Sequence, residues 1–76
     1  MTLPDSSERA IRSSADLGNF VREARTRQDL TQPELAAASG TGIRFIVDLE
    51  NGKPTVRLGM ALHVLKMLGA SLVARS

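Results

Sequence analysis

The sequence predicts an all-α domain of four to five short helices, followed by a short β-strand over residues 71–76. Three observations carry that expectation. Thr31 and Glu34 have the spacing of a capping box, and Gly40 follows as a stop, so a short helix lies between them. A second apolar-periodic run starts at Gly42 and stops at Asn51-Gly52, with Pro54 behind it. Longer amphipathic runs at a period near 3.6 flank this pair on both sides.

The first segment, residues 1–13, mixes Pro4, Ser6, Ser7, Glu8, Arg9 and Arg12 without periodicity and reads as a flexible tail or a weak extra helical turn. Ser13 or Ser14 caps the next helix and Asp16 falls in its first turn, where an acidic group suits the helix dipole. Leu17, Phe20, Val21 and Ala24 then recur at i, i+3, i+4 and i+7, which gives one core-facing stripe. Leu30 and Leu35 flank the Thr31 box as a hydrophobic staple, and Pro33 falls in the first turn, where its missing N–H costs little. On the third helix Phe45, Ile46 and Leu49 share the core side, and Ile43, Arg44, Val47, Asp48 and Asn51 share the other.

The last helix is expected over residues 55–68. Leu58, Ala61, Leu62, Leu65 and Leu68 form one apolar stripe, and Met60, Val64 and Met67 form a second on nearly the opposite side. One small core cannot bury both, so the second stripe is expected to meet another chain. Gly69 stops the helix. The segment Ser71-Leu72-Val73-Ala74-Arg75 has strand character but cannot stand alone, and the simplest mate is the same strand from a second copy. Met60, Val64, Met67, Leu72 and Val73 are thus the expected homodimer interface. The organisation is a tail over 1–13, a helical domain over 14–70 and a dimerisation strand or tail over 71–76.

Two short helices about a glycine turn make a helix-turn-helix, a motif whose second helix enters the major groove of DNA. Its outward side therefore holds the candidate contacts. Arg44 can fork onto a guanine, and Ile43 and Val47 can sense thymine methyls. Thr41 and Asp48 lie on or beside the same side. Gly42 lets the backbone approach phosphate, Gln32 at the start of the preceding helix can reach a phosphate or a base edge, and Lys53 can clamp a phosphate. Arg44 also has the i,i+4 spacing to pair with Asp48 on the surface.

A chain of 76 residues allows one domain and buries only about 60–65% of its unfolded surface, so a second chain would help its core. There is no cysteine, and the one histidine, His63, cannot assemble a metal site; no cofactor, metal or catalytic group is expected. No apolar run approaches the roughly 20 residues of a membrane span, and the reading is a cytoplasmic protein. The net charge of +2 at a pI near 9.9 is too mild for a nonspecific nucleic-acid coat, which favours direct readout of a palindromic site by two half-sites.

From about Leu17 to Gly69 the pattern LTQxELA…G…ENGKP resembles the Cro/repressor-like (XRE) helix-turn-helix domains, whose fold is lambda-repressor-like. The run G-I-R-F-I-V-D-L-E-N-G-K-P-T-V-R-L-G-M-A-L-H-V-L-K-M-L-G is more narrowly similar to HipB-type antitoxins. That resemblance implies a repressor of its own operon that binds a palindromic operator in double-stranded DNA and a HipA-like serine/threonine kinase toxin. It also implies that Arg25 and Glu50 form a buried structural ion pair. The recognition helix departs from the superfamily's usual Gln, Ser, Thr and Arg by offering Ile43, Val47 and Asp48. A stand-alone phage-type or metabolic repressor and a protein-interaction module of the same fold remain as alternatives.

Overall fold

The computed structural model describes residues 8–76. Four α-helices follow one another: α1 Ser14–Arg27, α2 Gln32–Ser39, α3 Ile43–Glu50 and α4 Leu58–Met67. None of them is long and apolar enough to cross a membrane.

Local chemistry sets the ends of these helices. The Ser13 hydroxyl accepts from the Asp16 N–H at 3.0 Å and opens α1. The chain leaves α1 through Asp29 at φ 58°, a left-handed conformation that Asp tolerates better than most residues. Gln28 donates from Nε2 to the Leu68 carbonyl at 2.8 Å, tying the end of α1 to the end of α4. Both halves of the Thr31 capping box form: the Thr31 hydroxyl accepts from the Glu34 N–H at 3.2 Å, and the Glu34 carboxylate accepts from the Thr31 N–H at 2.8 Å. Gly40 at φ 70° ends α2, and the Thr41 N–H returns to the Ala36 carbonyl at 2.9 Å.

The core joins all four helices through Val21, Ala24, Leu35, Ala36, Ile46, Leu49, Ala61, Val64, Leu65 and Leu68. Leu17, Phe20, Leu30, Phe45, Val56 and Ala70 pack around it. α1 and α2 both pack on α3, and α4 packs on α2.

Several sequence expectations need correction here. α4 begins at Leu58, because Pro54 and Thr55 lie in a turn that carries Val56 onto the core. Its buried face is Ala61, Val64, Leu65 and Leu68, itself an i, i+3, i+4, i+7 series one turn along from the stripe that starts at Leu58. Val64 is 0% exposed and belongs to this chain's own core, not to an interface; Leu58, expected inside, is 63% exposed. Leu62 and Met67 are exposed and Met60 is half-buried.

No strand forms among the described residues: 71–76 takes no regular secondary structure. The physical reason is the absence of a mate, because an extended segment in a single helical chain has no ladder for its N–H and C=O groups. Leu72 and Val73 are exposed, and Arg75 reaches the Glu8 carboxylate at 2.8 Å. Of the segment read as a tail, residues 1–7 lie outside the described residues. Over the remainder, Arg9 stacks 5.7 Å from the centre of the Phe20 ring and pairs with Glu23, while the Arg12 N–H donates to Asp16.

Candidate nucleic-acid interface

α3 has eight residues, too few to hold its shape alone, so its outward face is only as well placed as its inner one is held. Ile46 and Leu49 supply the apolar anchor. Gly18 supplies closeness: a Cβ there would fall 2.5 Å from the Leu49 carbonyl oxygen and 2.6 Å from that of Glu50, so α1 and the end of α3 meet backbone to backbone only because position 18 has no side chain.

Glu50 completes the support. Its side chain is 0% exposed and accepts from four donors. Arg25 contributes two bonds, Nε to Oε2 at 2.6 Å and a terminal amino group to Oε1 at 3.0 Å. Gln32 Nε2 donates to Oε1 at 3.1 Å, and the half-exposed Arg22 reaches the same oxygen through Nε at 3.5 Å. Burial pushes the Glu50 carboxyl up, but the bonds from Arg25 and Gln32, the Arg25 charge and the Arg22 contact together outweigh it and hold the group below its usual range. Arg25 also donates to the Leu30 carbonyl at 2.7 Å, so a single guanidinium fastens α1, the loop before α2 and the end of α3.

The outer face is open. Ile43 and Arg44 project into solvent, Val47 and Asp48 are half-buried beside them, and Lys53 stands exposed just past the helix. Gly42 offers no side-chain cap, and the Thr41 hydroxyl donates to the Gly42 carbonyl at 3.2 Å, so the first N–H groups of α3 are uncapped by any side chain. Asp48 lies between two cations: Arg44 Nε is 3.2 Å from Oδ1 and Lys53 Nζ is 3.5 Å from Oδ2. The structure therefore brings Thr41, Gly42, Ile43, Arg44, Val47, Asp48 and Lys53 to one surface. Gln32 turns instead to Glu50, with one amide donor engaged by the fold.

A family model described as "Helix-turn-helix domain" matches residues 16–76. The chain belongs to this helix-turn-helix family. Over 62 residues it is 53% identical to the "Uncharacterized HTH-type transcriptional regulator y4mF" of Sinorhizobium fredii, covering 82% of each chain. Among solved structures it is similar to a chain of the "HipB-O4 20mer complex", with a TM-score of 0.82 and 26% identity over 91% of this chain and 97% of that one. A chain of the "HipA-HipB-O2-O3 complex" matches with the same values. The protein is thus a helix-turn-helix DNA-binding transcriptional regulator with the fold of HipB.

Sequence reasoning missed Arg22, Gln32 and Asn51 as members of the network around Glu50; Asn51 accepts from Arg22 at 3.3 Å. The spacing of Arg22 and Arg25 at i,i+3 places both on one side of α1 and could have exposed the first. It also missed Gly18, although a glycine inside an amphipathic helix costs about 1 kcal/mol against alanine and so signals a close approach.

Proposed function

We propose that this regulator is an autoregulatory repressor that binds a palindromic operator as a homodimer and acts as a HipB-like antitoxin to a HipA-like serine/threonine kinase toxin. The observation that carries the DNA half of this reading is the outer face of α3: an uncapped helix start, an arginine with an 86% exposed side chain and a branched apolar pair, all on a rigidly supported helix. Two such helices about one helical turn apart, roughly 34 Å, would enter successive major grooves, and occupancy of the operator would block transcription. In this reading Arg44 forks onto guanine, Ile43 and Val47 meet thymine methyls, and Lys53 with the backbone at Gly42 takes phosphate.

The antitoxin half is supported by the fold shared with HipB chains, one of them in a complex whose name also includes HipA. The dimer half is supported by the apolar groups that this chain leaves uncovered, Met67, Leu72 and Val73, with Met60 half-covered beside them. Val64 plays no part in it. The segment over 71–76 would acquire its strand only by pairing with a second copy.

The test is binding to the DNA immediately upstream of the protein's own gene at a stated salt concentration, with Arg44→Ala and a scrambled duplex as controls. Arg44→Ala is expected to weaken specific binding by about 1–3 kcal/mol and relax preference at one base pair per half-site. An unchanged preference would remove Arg44 from the readout. Recovery of a kinase-sized partner by the tagged protein from its own cells supports the antitoxin reading, and the lack of a kinase gene beside the operator would favour a stand-alone repressor.

A further inference from the structure

The carboxylate of Asp48 faces DNA in this reading, an unfavourable place for a negative charge unless it does something there. Its geometry shows what that is. Arg44 meets Oδ1 through Nε at 3.2 Å, the edge of the guanidinium nearest the chain, which leaves the two terminal amino groups for an acceptor beyond it. A fork onto guanine O6 and N7 can be made through those two groups. On its other oxygen Asp48 holds Lys53 Nζ at 3.5 Å, and its own side chain is only 21% exposed, fixed at the base of the arrangement rather than at its tip.

We propose that Asp48 is the positioning residue that gives Arg44 its base specificity, holding the guanidinium by Nε so that it addresses a guanine edge and not a phosphate. The inference rests on the DNA-contact reading of α3. A free arginine at this site has several rotamers, and phosphate is the commonest ligand within reach of any of them. A carboxylate behind it restricts those rotamers and repels phosphate, so nonspecific binding loses more than specific binding does. The pair is weak in water, but water leaves the groove on binding, and the contact strengthens when Arg44 lies between Asp48 and the base. Lys53, held on the second oxygen, is likewise withheld from nonspecific phosphate until the specific docking brings one close.

The experiment compares Asp48→Ala, Asp48→Glu, Arg44→Ala and the charge-matched distant control Glu8→Gln, all full-length and dimer-competent by sedimentation. Each is titrated against the upstream operator, against operators substituted at every base pair, and against random duplex over a salt series. Asp48→Ala is expected to bind random duplex about threefold to tenfold more tightly, the scale of one or two freed surface pairs, with a salt slope steeper by about one or two. Its preference at the base pair that Arg44→Ala identifies should fall about tenfold although Arg44 is present, and Asp48→Glu should restore part of it. Glu8→Gln should move neither the preference nor the slope by as much. A loss of preference at a different base pair would make Asp48 a reader in its own right and overturn the proposal, as would an Asp48→Ala variant that keeps the wild-type preference. If Arg44→Ala itself changes no preference, the arginine readout fails and the role of Asp48 falls with it.

Discussion

Removing Arg25 should damage the scaffold heavily, and its damage should depend on pH in a defined direction. Arg25→Ala deletes the two bonds to Glu50 at 2.6 and 3.0 Å and the bond to the Leu30 carbonyl at 2.7 Å. It leaves a fully buried carboxylate facing only Gln32 and the longer Arg22 contact. Stranding one partner of a buried pair costs about 3–5 kcal/mol. A domain of 76 residues is stable by about 4–11 kcal/mol at usual per-residue values, so the variant should lose about a quarter or more of its stability. Urea unfolding at pH 7 measures this, and the thermal midpoint should fall by about 12 °C or more.

The pH dependence follows from the same network. In the native chain the Glu50 carboxyl lies below its ordinary value of 4.5, so its contribution is present at neutral pH and is lost as pH falls through the depressed value. In Arg25→Ala burial dominates and the carboxyl moves up, so the folded variant takes up its proton more readily than the unfolded chain. Its penalty then shrinks as pH falls through that raised value, above 4.5, while the native contribution is lost only below 4.5, so the two stability curves should draw together progressively as pH falls from neutrality into the acid range. Replacing both partners by apolar residues, Arg25→Met with Glu50→Leu, should recover most of the loss. A gap below about 1 kcal/mol, or one that stays constant with pH, would refute the account of a buried charge held by Arg25.

Three further outcomes are expected. Gly18→Ala places a Cβ against two backbone carbonyls and should cost about 1–3 kcal/mol or more, read from the urea midpoint; a neutral result would mean that α1 can shift without penalty. The Ser39 hydroxyl is buried and has no hydrogen-bond partner among the described residues, so Ser39→Ala should leave stability unchanged or raise it by up to about 1 kcal/mol, with a fall pointing to a partner such as bound water. Val73→Asp should give folded monomers by sedimentation with native circular dichroism, whereas Val64→Asp should unfold the chain; a folded Val64→Asp monomer would return that residue to the interface.

The elements that announced themselves in sequence were those fixed by local chemistry. The Thr31 box, the glycine at position 40 and the stop at Asn51-Gly52 each satisfy backbone groups within a turn or two, and they stand where the spacing puts them. α4 was misread because its pattern is nearly apolar all round. With Leu58, Met60, Leu62, Val64 and Met67 on every side, periodicity cannot choose a face, and the choice falls to the packing against the rest of the fold. The pair Arg25 and Glu50 followed from family resemblance, but the contributions of Arg22 and Gln32 depend on how three helices cross. Gln32 is the instructive case: its position at the start of α2 suited DNA, and the tertiary crossing gave its amide a nearer acceptor.

The two acidic residues of α3 show how one short helix serves both scaffold and surface. Glu50 and Asp48 are two positions apart, about 200° around the helix, and so face opposite ways. Glu50 is sealed from water with its cation, and separating that pair strands a charge at about 3–5 kcal/mol, which suits a part that must never let go. Asp48 holds its cations at the surface, where such pairs contribute only about 0.2–1 kcal/mol, so under the proposed function DNA would replace or reinforce them within an ordinary binding energy. Exchanging the two settings would defeat both purposes. An arginine locked into a buried pair could not turn to a base, and a recognition helix fastened only by an exchangeable surface pair would not hold the base-reading side chains in one place. In the proposed reading the burial of Glu50 and the exposure of Arg44 are a single arrangement, because an arginine would read a base at fixed register only from a helix that is itself firmly held.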